Sequence, residues 1–202
     1  MKKTFVIFIL AVFVLSAAAS SVTQETARAE KMRPALLVID IQNEFLPNMS
    51  ESDRKTALEY INGTIRRFHD KRFPVIRIYQ SHPAAGPKPG SQAFEFPQTV
   101  LIKPDDPMII KTYSNAFNKT GLEKLLKEKG CNVLFLCGLS ADACVLATYH
   151  GAQDLDYDAF LIREALLSPD SATTRFVAGL CETVSYGALK AMIKYAPSGE
   201  PK

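Results

Sequence analysis

Polar and apolar positions along this chain fall into two alternating rhythms. Nearly uninterrupted apolar runs, Ala35-Leu36-Leu37-Val38-Ile39, Pro74-Val75-Ile76-Arg77-Ile78-Tyr79 and Asn132-Val133-Leu134-Phe135-Leu136-Cys137, predict strands buried on both faces. Helical segments separate them. Ser50 with Asp53 resembles a capping box ahead of a helix from Ser52 to about Asp70, and Thr120-Gly121-Leu122-Glu123 reads as a second one, opening a helix to about Lys129. Asp142 to Leu155 reads as a helix, and Tyr157 to Ile162 as the next strand. Ser168-Pro169 places proline at a first helical position behind an N-cap serine, which predicts a helix to about Leu180. Thr183-Val184-Ser185 is a short last strand, Gly187 to Tyr195 a closing helix, and Met108-Ile109-Ile110 one further short strand. Strands alternating with helices predict an α/β domain, a doubly wound, mainly parallel six-stranded sheet in three αβα layers.

Ser81 to Pro107 breaks the rhythm. It carries Pro83, Pro87, Pro89, Pro97, Pro104 and Pro107 with Gly86 and Gly90, and so long a stretch without elements inside a compact domain is usually functional. It reads as a substrate lid or, equally, as a surface excursion. Upstream, Lys2 and Lys3 precede an apolar stretch from Phe5 to Leu15 and then Ser16-Ala17-Ala18-Ala19, the pattern of a secretory signal. Cleavage after Ala19 is expected, with Ala27-Arg28-Ala29 as a second site, and Ser20 to Arg33 reads as a flexible lead-in. An uncleaved anchor is the competing reading, but the apolar part is short for a bilayer. The expected location is therefore periplasmic or secreted, with no membrane attachment after signal removal.

The 202 residues suit a single domain from residue 34 onward. Removing residues 1–19 takes away Lys2 and Lys3 and no acidic residue, lowering the formal net charge from +3 to +1. Basic and acidic residues are interspersed, so nucleic acid is not an expected partner. The cysteines, Cys131, Cys137, Cys144 and Cys181, include no C-x-x-C spacing, so neither a redox motif nor a zinc site is indicated. Cys137 falls inside an apolar strand and reads as core.

Cys144 stands out because it lies in Gly138-Leu139-Ser140-Ala141-Asp142-Ala143-Cys144-Val145, where a strand gives way to a helix. A thiol in a helix's first turn meets unpaired amides and the positive end of the dipole, which favour the thiolate. A lone cysteine is more often an apolar filler. Two other positions change that balance: Asp40 follows the strand ending at Ile39, and Lys111 follows Met108-Ile109-Ile110. Ligands of open α/β sheets bind beyond the carboxyl ends of the strands, so an acid, an amine and a thiol at three such ends can share one crevice.

Asp40-Ile41-Gln42-Asn43, Lys111-Thr112-Tyr113-Ser114-Asn115-Ala116-Phe117 and the Gly138 to Val145 segment together resemble the isochorismatase-like cysteine hydrolase superfamily, from about Pro34 to the C-terminus. The resemblance implies a catalytic set of Asp40, Lys111 and Cys144, a cis peptide at Leu139-Ser140, and an oxyanion hole from the Ser140 and Cys144 amides. Gln42, Phe45 and Phe117 are the expected pocket wall. It further implies cleavage of a small amide, carbamoyl or ureido compound through a Cys thioester, by a homo-oligomer acting on a small-molecule substrate without a cofactor.

Nicotinamidases of that superfamily bind a metal through an Asp-x-His segment, but here the matching place is Gln80-Ser81-His82, an amide where the carboxylate would be. No metal is expected, and His69 and His150 read as surface or packing residues. There is no G-x-G-x-x-G or P-loop, and Asp142 stands where a nucleophile elbow needs glycine. The alternatives are a vinyl-ether hydrolase of isochorismatase type, whose relatives lack the nucleophilic cysteine, and a catalytically silent binding protein of the same fold.

Overall fold

Long apolar runs bury themselves by forming the middle of a sheet covered on both sides. The computed structural model describes residues 31–199 except Pro83 and Ala85; the expected signal and most of the lead-in lie outside the described residues. Six strands, β1 (Pro34–Ile39), β2 (Val75–Gln80), β3 (Met108–Lys111), β4 (Val133–Leu139), β5 (Asp158–Leu167) and β6 (Thr183–Val184), form one sheet in the order β3-β2-β1-β4-β5-β6. Every pairing is parallel.

Successive residues of β1 point to opposite faces, and each face has its own helices. Leu36 and Val38 join the cluster built by α1 (Glu51–Asp70) through Ala57, Ile61, Ile65 and Phe68, and by α5 (Tyr186–Tyr195) through Leu189 and Ile193. Ala35, Leu37 and Ile39 join the opposite cluster, which holds Leu122 and Leu126 of α2 (Leu122–Glu128), Tyr149 and Ala152 of α3 (Leu146–Gln153), and Val177 of α4 (Ser171–Leu180). The three-layer, doubly wound architecture follows. Strand order reverses between β1 and β4, so a crevice opens beyond their carboxyl ends.

Helix ends differ from the sequence reading in instructive ways. Ser50 caps α1 as expected, accepting from the Asp53 amide at 3.1 Å. The capping box expected at Thr120 does not form: Gly121 is the N-cap of α2, and the Thr120 hydroxyl donates to the Ala116 carbonyl while accepting from the Leu122 amide. Nor does Ser168 cap α4. Asp170 does, taking the amides of Ala172 and Thr173 at 3.1 Å each. The helix expected from Asp142 opens as a π turn, Ala141–Val145, before α3 begins. Finally, β5 runs to Leu167 rather than stopping at Ile162, because Leu166 and Leu167 pair with Gly138 and Leu139 of β4, while Arg163 donates to the Thr183 hydroxyl and Glu164 accepts from the Tyr186 amide.

The Pro-rich segment between β2 and β3 divides in two. Phe94, Phe96 and Val100 are core residues, and both rings stack on Tyr79 with centroids 4.8 and 4.3 Å away. Carbonyls of Ala93 and Glu95 accept from the Glu44 and Asn43 amides just beyond β1. That half is anchored to the core and to the chain just beyond β1.

Candidate active site

Each candidate side chain is placed by the end of a strand. Asp40 follows β1 with φ 54, a left-handed backbone that few residues other than glycine adopt and that carries strain of order 1 kcal/mol or more. β4 closes on β1 through Gly138, where φ is +121 and an added Cβ would lie 2.0 Å from the Ile39 carbonyl oxygen. Only glycine fits so close an approach. It brings the Ser140-to-Cys144 segment beside Asp40. The Leu139-Ser140 peptide is cis. The Ser140 carbonyl accepts from the Ala143 and Val145 amides at 3.0 and 3.1 Å, which starts the turn that carries Cys144.

Lys111 comes from further away. It ends the edge strand β3, opposite Gln80 at the end of β2, and its side chain crosses above β2 to reach β1. Its Nζ donates to Gln80 Oε1 at 2.6 Å, to Asp40 Oδ2 at 2.8 Å and to Cys144 Sγ at 3.1 Å. An ammonium has three N–H donors, and all three are matched. This is what lets a lysine sit 1% exposed beside an aspartate 2% exposed. One atom is left over. Asp40 Oδ1 is buried and accepts no well-formed hydrogen bond, though the Cys144 thiol and the Gln80 amide lie near enough to the carboxylate to hold its pKa down.

Burial, followed by the Asp40 charge, pushes the Cys144 thiol up to about 11 against the pull of Lys111. Desolvation and a neighbouring carboxylate both favour the neutral thiol. Burial also raises the Asp40 carboxyl, while the Lys111 ammonium holds it down. Cys131 and Cys137 are raised by burial as well, and all four cysteines are unbridged.

The expected pocket wall is placed differently. Gln42 is fully buried and clasps β2, donating to the Gln80 carbonyl at 3.1 Å and accepting from the Gln80 amide at 2.8 Å. Phe45 packs, half-buried, on the cluster that holds Tyr79 and Phe94. Phe117 stacks on Tyr157, which precedes β5, with ring centroids 6.1 Å apart, toward the end of the sheet away from Cys144. Sequence reasoning missed three residues that the structure gathers here. Gln80 is the third acceptor of Lys111, and Asp142 Oδ1 accepts from both the Ser140 and Ser168 hydroxyls. Gln80 entered the sequence reading only as the amide standing where a metal-binding carboxylate would be, not as a partner of Lys111.

A divalent ion does not fit this set. Gln80 offers a carboxamide oxygen already bound by Lys111, and His82 Nδ1 accepts from the Ala84 amide. Among the described residues no three His, Cys, Asp or Glu side chains gather closely enough to hold a metal, and no helix is long and apolar enough to cross a membrane. His69 is tied to Asp106. A cleft of about 1000 Å³ lies at the opposite end of the sheet, against the starts of β1 and β2 and around Arg72, His69 and Asp106.

An acid, an amine and a thiol at the switch point of a doubly wound parallel sheet define a class of hydrolase-like sites, and the comparisons give that class its family. The Isochorismatase domain model matches residues 34–181, and the chain belongs to this family. An uncharacterized isochorismatase family protein of Bacillus subtilis (strain 168), YddQ, is 28% identical over 139 residues, 66% of this chain and 77% of its own. A probable inactive nicotinamidase of Arabidopsis thaliana is 28% identical over 152 residues, 64% of this chain and 78% of that one. A streptothricin hydrolase of Streptomyces noursei is 28% identical over 133 residues, 65% of this chain but only 48% of the hydrolase. Among solved structures, an isochorismatase-like hydrolase from Alkaliphilus metalliredigens superposes with a TM-score of 0.73 at 17% identity, covering 82% of this chain and 98% of that one. The N-carbamoylsarcosine amidase of Thermoplasma acidophilum gives 0.69 at 21%, covering 77% and 97%. These two likenesses establish the fold.

Proposed function

We propose that this protein is an exported cysteine hydrolase cleaving a C–N bond of a small amide, carbamoyl or ureido compound through a thioester on Cys144. The observation that carries the reading is the buried Lys111 ammonium, 2.8 Å from Asp40 Oδ2 and 3.1 Å from Cys144 Sγ, beside an Asp40 oxygen with no partner. Kinship alone does not decide activity, since one relative is described as a probable inactive nicotinamidase. Relatives named as an amidase and a streptothricin hydrolase support C–N chemistry.

The cycle balances on one proton. The Cys144 S–H proton passes to Asp40 as Sγ bonds to the substrate carbonyl carbon. Lys111 keeps Asp40 ionised until that moment and holds thiol and carboxylate together. The Ser140 and Cys144 amides receive the developing oxyanion. When the C–N bond breaks, Asp40 returns the proton to the leaving nitrogen, leaving a thioester. Water then gives a proton to Asp40 and adds to the thioester carbonyl; the C–S bond breaks, the acid departs and Cys144 regains its proton.

The test is ammonia or amine release by purified protein across a panel of small amides, carbamoyl and ureido compounds, with Cys144→Ala as the control. Turnover by the parent that vanishes in the variant is expected; equal rates in both would sink the mechanism. Export is tested by mass spectrometry of the protein from its native host. A chain beginning at Ser20 or Glu30 is expected, and an intact Met1 in the cytosol would refute export.

A further inference from the structure

Ser168 is buried, 2% exposed, yet it caps no helix. Its hydroxyl points instead toward the nucleophile's helix, donating to Asp142 Oδ1 at 3.2 Å, with the Ser140 hydroxyl 3.4 Å away and also donating to Asp142. The sheet register explains how it arrives there. Leu136 pairs with Leu161, but Gly138 pairs with Leu166 and Leu139 with Leu167, so two steps along β4 match five along β5. Continued without that slip, the first register would set Ser140 opposite Ala165, which has no hydroxyl. With it, Ser140 emerges beside Ser168. A bulge that re-aims a side chain next to a reactive centre is a recurrent use of strand irregularity.

We propose that Ser168 is a positioning residue which, through Asp142, fixes Ser140 and so the donor geometry facing the Cys144 adduct. This rests on the reading of Cys144 as nucleophile. Ser140 is then held at two of its groups. Its carbonyl starts the π turn, and its hydroxyl ends on a carboxylate that is itself tied to the neighbouring strand. Asp142 is exposed and no lysine, arginine or histidine pairs with it among the described residues, so the two hydroxyls are what orient it. Remove Ser168, and the Ser140–Asp142 contact persists only within its own turn, free to move against β5.

Oxyanion donors act through placement, so displacement should lower kcat while leaving KM nearly unchanged. Ser168→Ala is expected to reduce kcat roughly ten- to a hundredfold. Alkylation of Cys144 by iodoacetamide, which uses no oxyanion hole, should keep its parent rate. Asp142→Ala, an exposed change that does not threaten folding, should lose about as much as Ser168→Ala, and the double variant no more than the larger single loss. Asp142→Asn keeps a carbonyl oxygen in place and should fall between the parent and Asp142→Ala. Hydrogen exchange should accelerate at residues 140–145 in both alanine variants, with no matching change in α1 or α5. Parent-like kcat and exchange in Ser168→Ala and Asp142→Ala would overturn this inference and leave the nucleophile reading standing. An inactive parent whose Cys144 also resists alkylation would overturn both.

Discussion

The two ends of the sheet each hold a buried or nearly buried carboxylate bonded to a basic side chain, and the pairs are finished differently. At the amino end, His69 Nε2 lies 2.9 and 3.1 Å from the two Asp106 oxygens, Oδ2 also accepts from the Lys103 amide at 2.7 Å, and the Asp106 carbonyl accepts from Arg77. Nothing on that carboxylate is left unmet. At the carboxyl end, Lys111 and Asp40 sit deeper, with side chains 0% and 2% exposed against 13% and 9%, yet Asp40 Oδ1 has no partner. An unpartnered buried carboxylate oxygen costs about 1–3 kcal/mol, so a pair kept only for stability would be completed as His69 and Asp106 are. On the proposed mechanism, the open position is where the Cys144 proton would arrive.

The sharpest tests of that contrast fall on the deeper pair and the thiol beside it. Cys144→Ala should lower turnover by on the order of 10³-fold or more without unfolding the chain. Lys111→Met should lose turnover and also stability, about 3–5 kcal/mol, because Asp40 is then a buried charge without its counter-ion. Adding Asp40→Asn to Lys111→Met should recover much of the melting temperature and none of the turnover. Recovery of both would show that the pair is structural.

Much of this site was legible because each member closes an apolar run: Ile39 before Asp40, Ile110 before Lys111, and the β4 strand before the Cys144 turn. Alternation of strands and helices carried the fold in the same way. What was hidden depends on register and on reach. That Lys111 would meet Gln80 follows from the β2–β3 pairing, which no local pattern encodes. Ser168-Pro169 has the composition of a helix start, but capping passed to Asp170 and released the serine. Arg163 and Glu164 looked like a strand's end because their charge breaks the apolar run; their partners lie on β6 and α5, outside any sequence window. Phe117 was assigned to the pocket by nearness to Lys111 in sequence, yet the chain turns it toward Tyr157.

A pH profile separates the two ends more finely. On the proposed mechanism Asp40 is ionised before it takes the thiol proton, and burial raises its pKa above the ordinary 3.8. The raised group is protonated first as pH falls, so kcat/KM should decline through a limb lying above that value. A limb at or below 3.8 would remove Asp40 as the base. Metal dependence gives a smaller expected change. Because Gln80 holds Lys111 with its carboxamide oxygen, EDTA should leave the rate unaltered. Inhibition by EDTA that zinc or iron reverses would show ligands other than Gln80 and His82.

The smallest expected effect on turnover is at the completed pair. His69→Ala removes the partner of both Asp106 oxygens but leaves Oδ2 accepting from the Lys103 amide, so one orphaned acceptor remains. Stability should fall by about 1–3 kcal/mol, read as a lower denaturation midpoint with an unchanged m-value. kcat and KM should stay at the parent values, since α1 ends at the amino side of the sheet, across its length from Cys144. A drop in kcat matching that of the Lys111 variants would mean that the two ends are coupled. The distinction between a closed pair that holds and an open pair that reacts would then fail.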